Sequence, residues 1–414
     1  MATRWGKLIL NRQCLEDAEG AHLVPANQLL PEHGGCLTTR GLQEWACLLP
    51  QNLPFSTVER LLGWKCGEED ILSDTTVRNL VCAHGALIRK AELANARAVL
   101  EQGSAYSGKA LLVECETPRR RAGWPAEMNQ AMTEAVAAGK SRPPEGVSVS
   151  DWERVLHVVE QDSEADIEAL RHLGPQPAPD QVVAAVDEVM VRKPTLHQFW
   201  QLRTACIRTC GGRRYLTGTG EEFLTVLTAF LLLCTRSGRS LLVLADGARW
   251  IRLWFAGVRA RFEVCELLQD WYHLCKKSRE LASLFSANRK DKADVLKRLK
   301  LRLWRGDVDG AVKVLESYRA QARKVEALEE LIHSLQERRG NIVDYHARRV
   351  SCQYVGSGLV ENANNVLIAN RQKSHGMHWS LATSNGLAAL TTLMLNGGWD
   401  RYWQNREVLP LATE

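Results

Sequence analysis

Two short apolar runs, each closed by an aspartate, limit the possible folds of this chain more than any other feature. Residues 182–186 read VVAAV and precede Asp187; residues 240–245 read SLLVLA and precede Asp246. Short apolar runs rich in β-branched and aliphatic residues, bounded by turn formers, predict buried strands. An aspartate at the end of such a strand is most simply a cap or turn residue. If the two strands are neighbours, however, the acids face one another, and carboxylates that close repel unless a cation bridges them. Two hard oxygen donors with open water positions suit Mg²⁺ or Mn²⁺.

The surrounding pattern is mixed. VMV follows Asp187, residues 204–209 and 214–217 predict two more strands, and 264–268 a fifth strand or short helix. Residues 221–235 predict an apolar helix, 247–255 a helix or helical turn, and another helix begins at His273. The twelve residues FLTVLTAFLLLC at 223–234 are too few to span a bilayer, so a buried helix is expected there. From 276 to 349 the pattern is wholly helical, with apolar residues at three- and four-residue spacing (Val295, Leu299, Leu303; Val312, Leu315; Leu328, Leu331, Leu335). Helices are expected again over 359–370 and 381–394. The apolar run at the N-terminus is short and no small-residue cleavage site follows it, so it does not read as a secretory signal, and a cytoplasmic, nucleoid-associated protein without a membrane partner is expected.

The first hundred residues predict three helices with short turns: one through GLQEWACLL capped by Thr38-Thr39, one from a Ser56 cap to Gly67, and one from a Ser73 cap. Arg78 and Asn79 near the start of the third stand where a helix-turn-helix presents residues to a major groove; a plain helical bundle has the same pattern. Residues 110–115 suggest a strand before Arg119, Arg120 and Arg121, a solvated loop or a phosphate contact. Residues 141–150 read as a linker, 151–173 as a helix, and GPQPAPD as a second, stiffer linker. The expected organisation is α+β and α/β multidomain: 1–140 an N-terminal helical region for DNA binding or dimerisation, 141–180 a linker with one helix, 181–275 the first part of a mixed-sheet core, 276–350 a basic helical insertion, and 351–414 the C-terminal helices of the core.

Composition is ordinary for a globular chain, 45% hydrophobic and 24% charged, which excludes a disordered, collagen-like or coiled-coil protein. The net charge is only +5, but residues 276–349 carry 19 Lys and Arg against 11 Asp and Glu, a net of +8. That stretch is either a solvated helical face or a surface for a polyanion. No CxxC occurs among the 12 cysteines, and Cys36, Cys47, Cys66 and Cys82 lack zinc-ligand spacing. Trp is abundant, with 13 residues; Trp250, Trp254, Trp271 and Trp379 lie near the acids in sequence. They either fill the core or stack on an unpaired base.

A third acid on a helix over the sheet would complete a two-metal site, with one ion activating the nucleophile and the other stabilising the leaving oxygen at phosphorus. Glu361 follows Gly356-Ser-Gly358 and opens a helix with Asn362, Asn364 and Asn365 nearby; alone it reads as a first-turn glutamate favoured by the helix dipole. Glu188 sits beside Asp187, but strand side chains alternate, so only one of the two points into such a site. Asp187 is favoured because it directly ends the apolar run.

Three motifs then carry a family likeness: Asp246-Gly-Ala; Asp270-Trp-Tyr-His273; and the Glu361 helix leading into Arg371-Gln-Lys-Ser-His-Gly-Met-His-Trp-Ser380. Over residues 182–403 the chain resembles bacterial insertion-sequence transposases of the DDE type, relatives of the Mutator-like and hAT-like groups with an RNase H-like core. The resemblance implies Asp187, Asp246 and Glu361 as catalytic acids binding two Mg²⁺ or Mn²⁺ ions. It also implies the helical insertion before the last acid, and Asp270 with His273 as an accessory pair. Expected DNA contacts are Arg78, Asn79, Arg119, Arg120, Arg121, Arg249, Lys276, Lys277, Arg371, Lys373, His375 and Trp379. The implied function is transposition: phosphodiester hydrolysis at element ends and strand transfer into target double-stranded DNA by a homodimer or larger assembly. Alternatives are an inactive or domesticated DNA-binding descendant, an RNase H-like nuclease, and an α/β enzyme acting on a phosphorylated small molecule, the last weakened by the lack of a Gly-rich phosphate loop.

Overall fold

The computed structural model describes residues 36–102, 180–195, 197–210, 212–373 and 377–408, together with 175, 177, 178 and the short stretches 2–4, 6–7, 15–16, 22–23 and 32–33. The expected strand at 110–115, the linker and helix over 141–173, Arg119, Arg120, Arg121 and His375 lie outside the described residues.

A five-stranded mixed sheet organises the chain: β1 (Gln181–Arg192), β2 (Phe199–Thr209), β3 (Gly212–Gly218), β4 (Ser240–Ala245) and β5 (Cys265–Gln269), in the spatial order β5-β4-β1-β2-β3. β1, β2 and β3 are antiparallel neighbours, while β4 runs parallel to β1 and β5 parallel to β4. Parallel central strands are covered on both faces, which is why β1 and β4 are continuously apolar rather than alternating. Val182, Ala184 and Val186 of β1, with Leu241, Val243 and Ala245 of β4, pack beneath α4 (Gly220–Thr235) and α5 (Arg249–Val258). Val183, Ala185, Val189 and Val191, with Leu242 and Leu244, belong to the larger core on the opposite face.

That larger core unites parts of the chain distant in sequence. The first three helices, α1 (Arg40–Leu48), α2 (Phe55–Cys66) and α3 (Asp74–Gln102), share it with the C-terminal helices. α2 begins at Phe55 behind Pro54, so Ser56 lies inside the helix rather than capping it. Ser73 does cap α3 through the Thr76 amide, and Gly67 ends α2 at φ +70°, as its lack of Cβ permits. His84 on α3 bonds the Tyr402 hydroxyl at 2.7 Å and Gln43 Oε1 at 3.2 Å. These helices are therefore packed into the sheet-bearing body rather than standing apart as a DNA-reading module; Arg78 and Asn79 remain exposed at the start of α3.

Between β5 and the last helices lies an all-helical stretch: α6 (Trp271–Phe285), α7 (Arg289–Trp304), α8 (Val308–Glu316), α9 (Val325–Glu337) and α10 (Tyr345–Val350). All eight apolar positions expected to face inward there are buried. Its outer face is basic, yet many charges are paired on it: Arg302 with Asp307, Arg319 with Glu329, and Arg339 with Asp309. Exposed pairs of this kind contribute little stability. α11 (Gly358–Asn364) continues through a π-turn at Asn365–Ala369, and α12 (Leu381–Leu395) and α13 (Trp399–Asn405) close the chain's core. Among the described residues no helix is long and apolar enough to cross a membrane.

Candidate active site at the ends of the central strands

Val186 of β1 pairs with Ala245 of β4. Asp187 and Asp246 each follow that rung directly, and pleat alternation turns both away from the α4–α5 layer, so the two acids share one face of the sheet. β1 does not stop at Asp187, as the sequence had implied. It runs on to Arg192 because β2 continues to pair with it, Asp187 opposite Thr204. The alternation expected for Glu188 holds: it lies on the other face and interacts with Trp250.

Asp187 is firmly held. Its Oδ1 accepts the Glu188 amide at 2.7 Å and its Oδ2 the Asn364 side-chain amide at 2.6 Å. Asn364 in turn accepts a short hydrogen bond from the Thr204 hydroxyl. Burial drives the Asp187 carboxyl up to about 6, with the nearby Asp246 charge adding to the rise and the hydrogen bonds from Glu188 and Asn364 opposing it. Asp246 Oδ1 accepts the Ala248 amide at 2.7 Å, and Gln269 Nε2 donates to the Asp246 carbonyl at 2.8 Å, fixing the turn after β4.

The Asp270–His273 motif forms a built dyad. Asp270 is 1% exposed and caps α6 by accepting the His273 amide at 2.7 Å. His273 Nδ1 lies 3.2 Å from its Oδ1. Its Oδ2 accepts the Ser357 hydroxyl at 2.8 Å and, closer still, the Ser357 amide. Since Ser357 precedes α11, one buried carboxylate joins the imidazole to the helix that carries Asn364 and Glu361. The Asp270 hydrogen bond raises the His273 imidazole to about 9 against the opposing effect of its burial, and the charges of Asp187 and Asp246 also favour its protonation. A cationic His273 thus stands within electrostatic reach of both strand-end acids. It is not a core histidine bonded to a backbone carbonyl.

Glu361 does not join them. It is exposed, one turn before Asn364, and lines a separate pocket of about 330 Å³ with Arg208, Tyr272, Arg349 and Tyr354. Among the described residues no group of three His, Cys, Asp or Glu side chains is close enough to hold a metal ion. The two carboxylates on this face, Asp187 and Asp246, lie near enough for the Asp246 charge to raise the Asp187 carboxyl; a complete set of ligands for two ions is not assembled among the described residues.

Two residues expected to contact DNA are packed inside the protein. Arg371 is 9% exposed, donates Nε to the Pro50 carbonyl at 2.7 Å and stacks on Trp379, with burial lowering its pKa to about 10. Trp379 is 5% exposed and donates its indole N–H to the Gln372 carbonyl at 2.9 Å. Together they staple α2 to the C-terminal helices. Trp254 and Trp271 are buried as well, so these tryptophans serve packing; Trp271 packs at a tilt against Trp304 and Tyr345. Arg249, Lys276 and Lys373 are exposed, and Lys277 is half-buried with its ammonium 3.4 Å from Glu330. Asn364, Thr204 and Ser357 were not singled out as site residues by sequence. The run of asparagines after Glu361 was the one available signal, and it did not say which of them turned inward.

Asp187→Asn gives a direct check on the site's electrostatics. A carboxyl raised from its ordinary value loses stability as the pH rises through that range, because the folded state resists ionisation. Without divalent cations, Asp187→Asn is expected to melt higher than wild type at pH 8, by about 1 kcal/mol after allowing for one lost acceptor. At pH 4, where Asp187 is already protonated, no gain is expected. Thermal melts at the two pH values measure the difference.

No protein-family model matches the chain, and no curated protein matches it.

Proposed function

We propose that this protein is a DNA transposase of the DDE type, with an RNase H-like core interrupted by a basic helical insertion. The observation that carries the reading is the sheet order β5-β4-β1-β2-β3 with Asp187 and Asp246 following paired positions of its central parallel strands on one face. The Asp270–His273 dyad and the net +8 of residues 276–349 support it as a site and surface for a phosphodiester polymer.

In this reading Asp187 and Asp246 hold Mg²⁺ or Mn²⁺, with Glu361 recruited from the turn before Asn364. Held by these residues, Mg²⁺ or Mn²⁺ would supply Lewis acidity at phosphorus and lower the pKa of a water or 3′-hydroxyl nucleophile. Asn364 and the Glu188 amide orient the Asp187 carboxylate. Asp270 orients His273, whose protonated ring offsets the repulsion of the two acids and can donate to a phosphate oxygen. Exposed Arg249, Lys276 and Lys373, with Arg78 and Asn79, face the double-stranded DNA of the element ends and target. Pairing of two ends calls for a homodimer or larger assembly.

The test is cleavage and joining of labelled DNA carrying the element's own ends with Mg²⁺ or Mn²⁺. Asp187→Ala, Asp246→Ala and Glu361→Ala are each expected to lose at least about 10³-fold in rate, the scale on which such charge-stabilising groups act. Cleavage without joining would make the protein a nuclease instead. The exposure of Glu361 favours one second reading, an inactive descendant that binds DNA through its helical insertion. Salt-sensitive DNA binding by wild type with no cleavage would decide for it.

A further inference from the structure

Arg252 and Arg338 come from different parts of the chain and meet beside the Asp246 turn. Arg252 projects from α5 in the core, and Arg338 ends α9 in the insertion. Arg338 Nη2 donates to the Gly247 carbonyl at 3.1 Å, and Nη1 reaches the Ser334 hydroxyl and, at 3.3 Å, the Ser334 carbonyl. Arg252 Nη2 pairs with Glu337 Oε2 at 3.0 Å. In both guanidiniums the Nε is buried and makes no hydrogen bond.

The two guanidiniums repel: burial lowers the Arg338 pKa and the Arg252 charge lowers it further, while Glu337 and Asp246 act in the opposite direction. Glu337 is partly exposed and lies 3.4 Å from His333 as well, so its charge is shared. The backbone leaves room for this approach. Gly247 has φ +88°, and a Cβ there would overlap the Gln269 side-chain amide and come within 2.6 Å of Arg338 Nε. The space where any other residue would carry a side chain is filled by the Gln269 amide and the Arg338 guanidinium together.

We propose that Arg338 and Arg252 form a phosphate-binding notch beside Asp246 that holds a backbone phosphodiester of the DNA strand being cut. The planar fork of a guanidinium matches two phosphate oxygens, and two guanidiniums that share the single Glu337 carboxylate leave positive charge beside Asp246 for a phosphate to neutralise. The helical insertion then contributes a residue to the reaction itself, besides its basic outer face. Arg338 is a charge-neutralising residue for the phosphate positioned at Asp246. The identity of the ligand rests on the function proposed above.

Two readouts test this. Binding of a fluorescein-labelled element-end duplex is followed by anisotropy from 50 to 300 mM salt, and cleavage of the same duplex is measured with Mg²⁺. Arg338→Ala is expected to reduce the slope of log K against log salt by about one, the signature of one lost phosphate contact. Its cleavage rate is expected to fall about 100-fold, with several-fold recovery on adding guanidinium ion but not urea. Arg338→Lys should keep the wild-type slope and still cleave poorly, since it keeps the charge and loses the fork. An unchanged slope with cleavage within about threefold of wild type for Arg338→Ala would overturn the proposal. So would a loss that guanidinium does not rescue, accompanied by a lower melting temperature, because Arg338 would then only clamp Gly247. If Arg338→Ala shows the expected slope change but wild type cleaves nothing, the notch stands and the transposase reading falls; if wild type binds no DNA, both fall.

Discussion

Gly85→Leu is expected to yield no stably folded protein, and Gly85→Ala to lose stability at the upper end of the roughly 1–3 kcal/mol that overpacking costs. α3 and α12 cross with backbone against backbone. A Cβ on Gly85 would overlap the Gly386 Cα, and one on Gly386 would lie 2.8 Å from the Val81 carbonyl oxygen. Neither obstacle is a flexible side chain that can swing away, so one whole helix must shift, and the sheet packs beneath them. Intrinsic propensity favours Ala over Gly in a helix by about 1 kcal/mol, so the expected sign is set by tertiary contact against local preference. Gly257→Ala makes the contrast. It lies on α5 with nothing within 4 Å of its missing Cβ, and should gain about 0.5–1 kcal/mol. Chemical denaturation of the three variants compares them; a stable Gly85→Leu protein would mean the two helices do not cross there.

Asp270→Ala is the second large effect, expected to cost about 3–5 kcal/mol, the range seen when one partner of a buried ion pair is removed. Asp270 accepts from His273 and from both the amide and hydroxyl of Ser357. Burial alone would raise its pKa, but these hydrogen bonds and the His273 charge outweigh it and hold the carboxyl below the usual range. The stabilisation from a lowered carboxyl is present above its unfolded pKa near 4 and fades as the pH falls through the folded value. That from the raised imidazole is complete below its unfolded pKa near 6.5 and is lost as the pH rises through about 9. The difference between wild type and Asp270→Ala should therefore be greatest between about pH 4 and 6.5 and shrink as the pH rises from there through about 9. His273→Ala should cost less, because its side chain is 27% exposed and Asp270 keeps its Ser357 bonds. Denaturation midpoints across pH 4–10 measure both; a pH-independent difference would mean that Asp270 acts only as a helix cap.

The element pattern from β1 onward was legible because its periods are clean. β4 falls on the apolar run 240–245, α4 on 221–235, and the helical insertion on the three- and four-residue spacing of its leucines. Three ends stand out as misplaced: Pro54 rather than Ser56 precedes α2, β2 begins at Phe199 rather than Thr204, and β1 outruns Asp187 because β2 still offers it partners. Arg371 and Trp379 looked like exposed phosphate and base contacts because a basic residue beside aromatics reads the same whether stacked in a core or on DNA. The Pro50 carbonyl that receives Arg371 lies more than 300 residues away, and no local window contains it.

Sequence by itself determined most of the strands and helices, the acid that directly follows each central apolar run, and the D-x-x-H spacing, since each depends on contacts within a few residues. The Asp270–His273 cap is of this kind: α6 places the pair one turn apart wherever it packs. Tertiary structure alone decided which residues share the site. Strand pairing set Asp187 beside Asp246 on one face, helix packing turned Asn364 rather than Glu361 onto Asp187, and the insertion folded back to bring Arg338 to Gly247. Those are matters of long-range pairing and rotation about helix axes. A carboxylate, an amide and a guanidinium dozens or hundreds of residues apart carry no mark in their neighbours of which will meet.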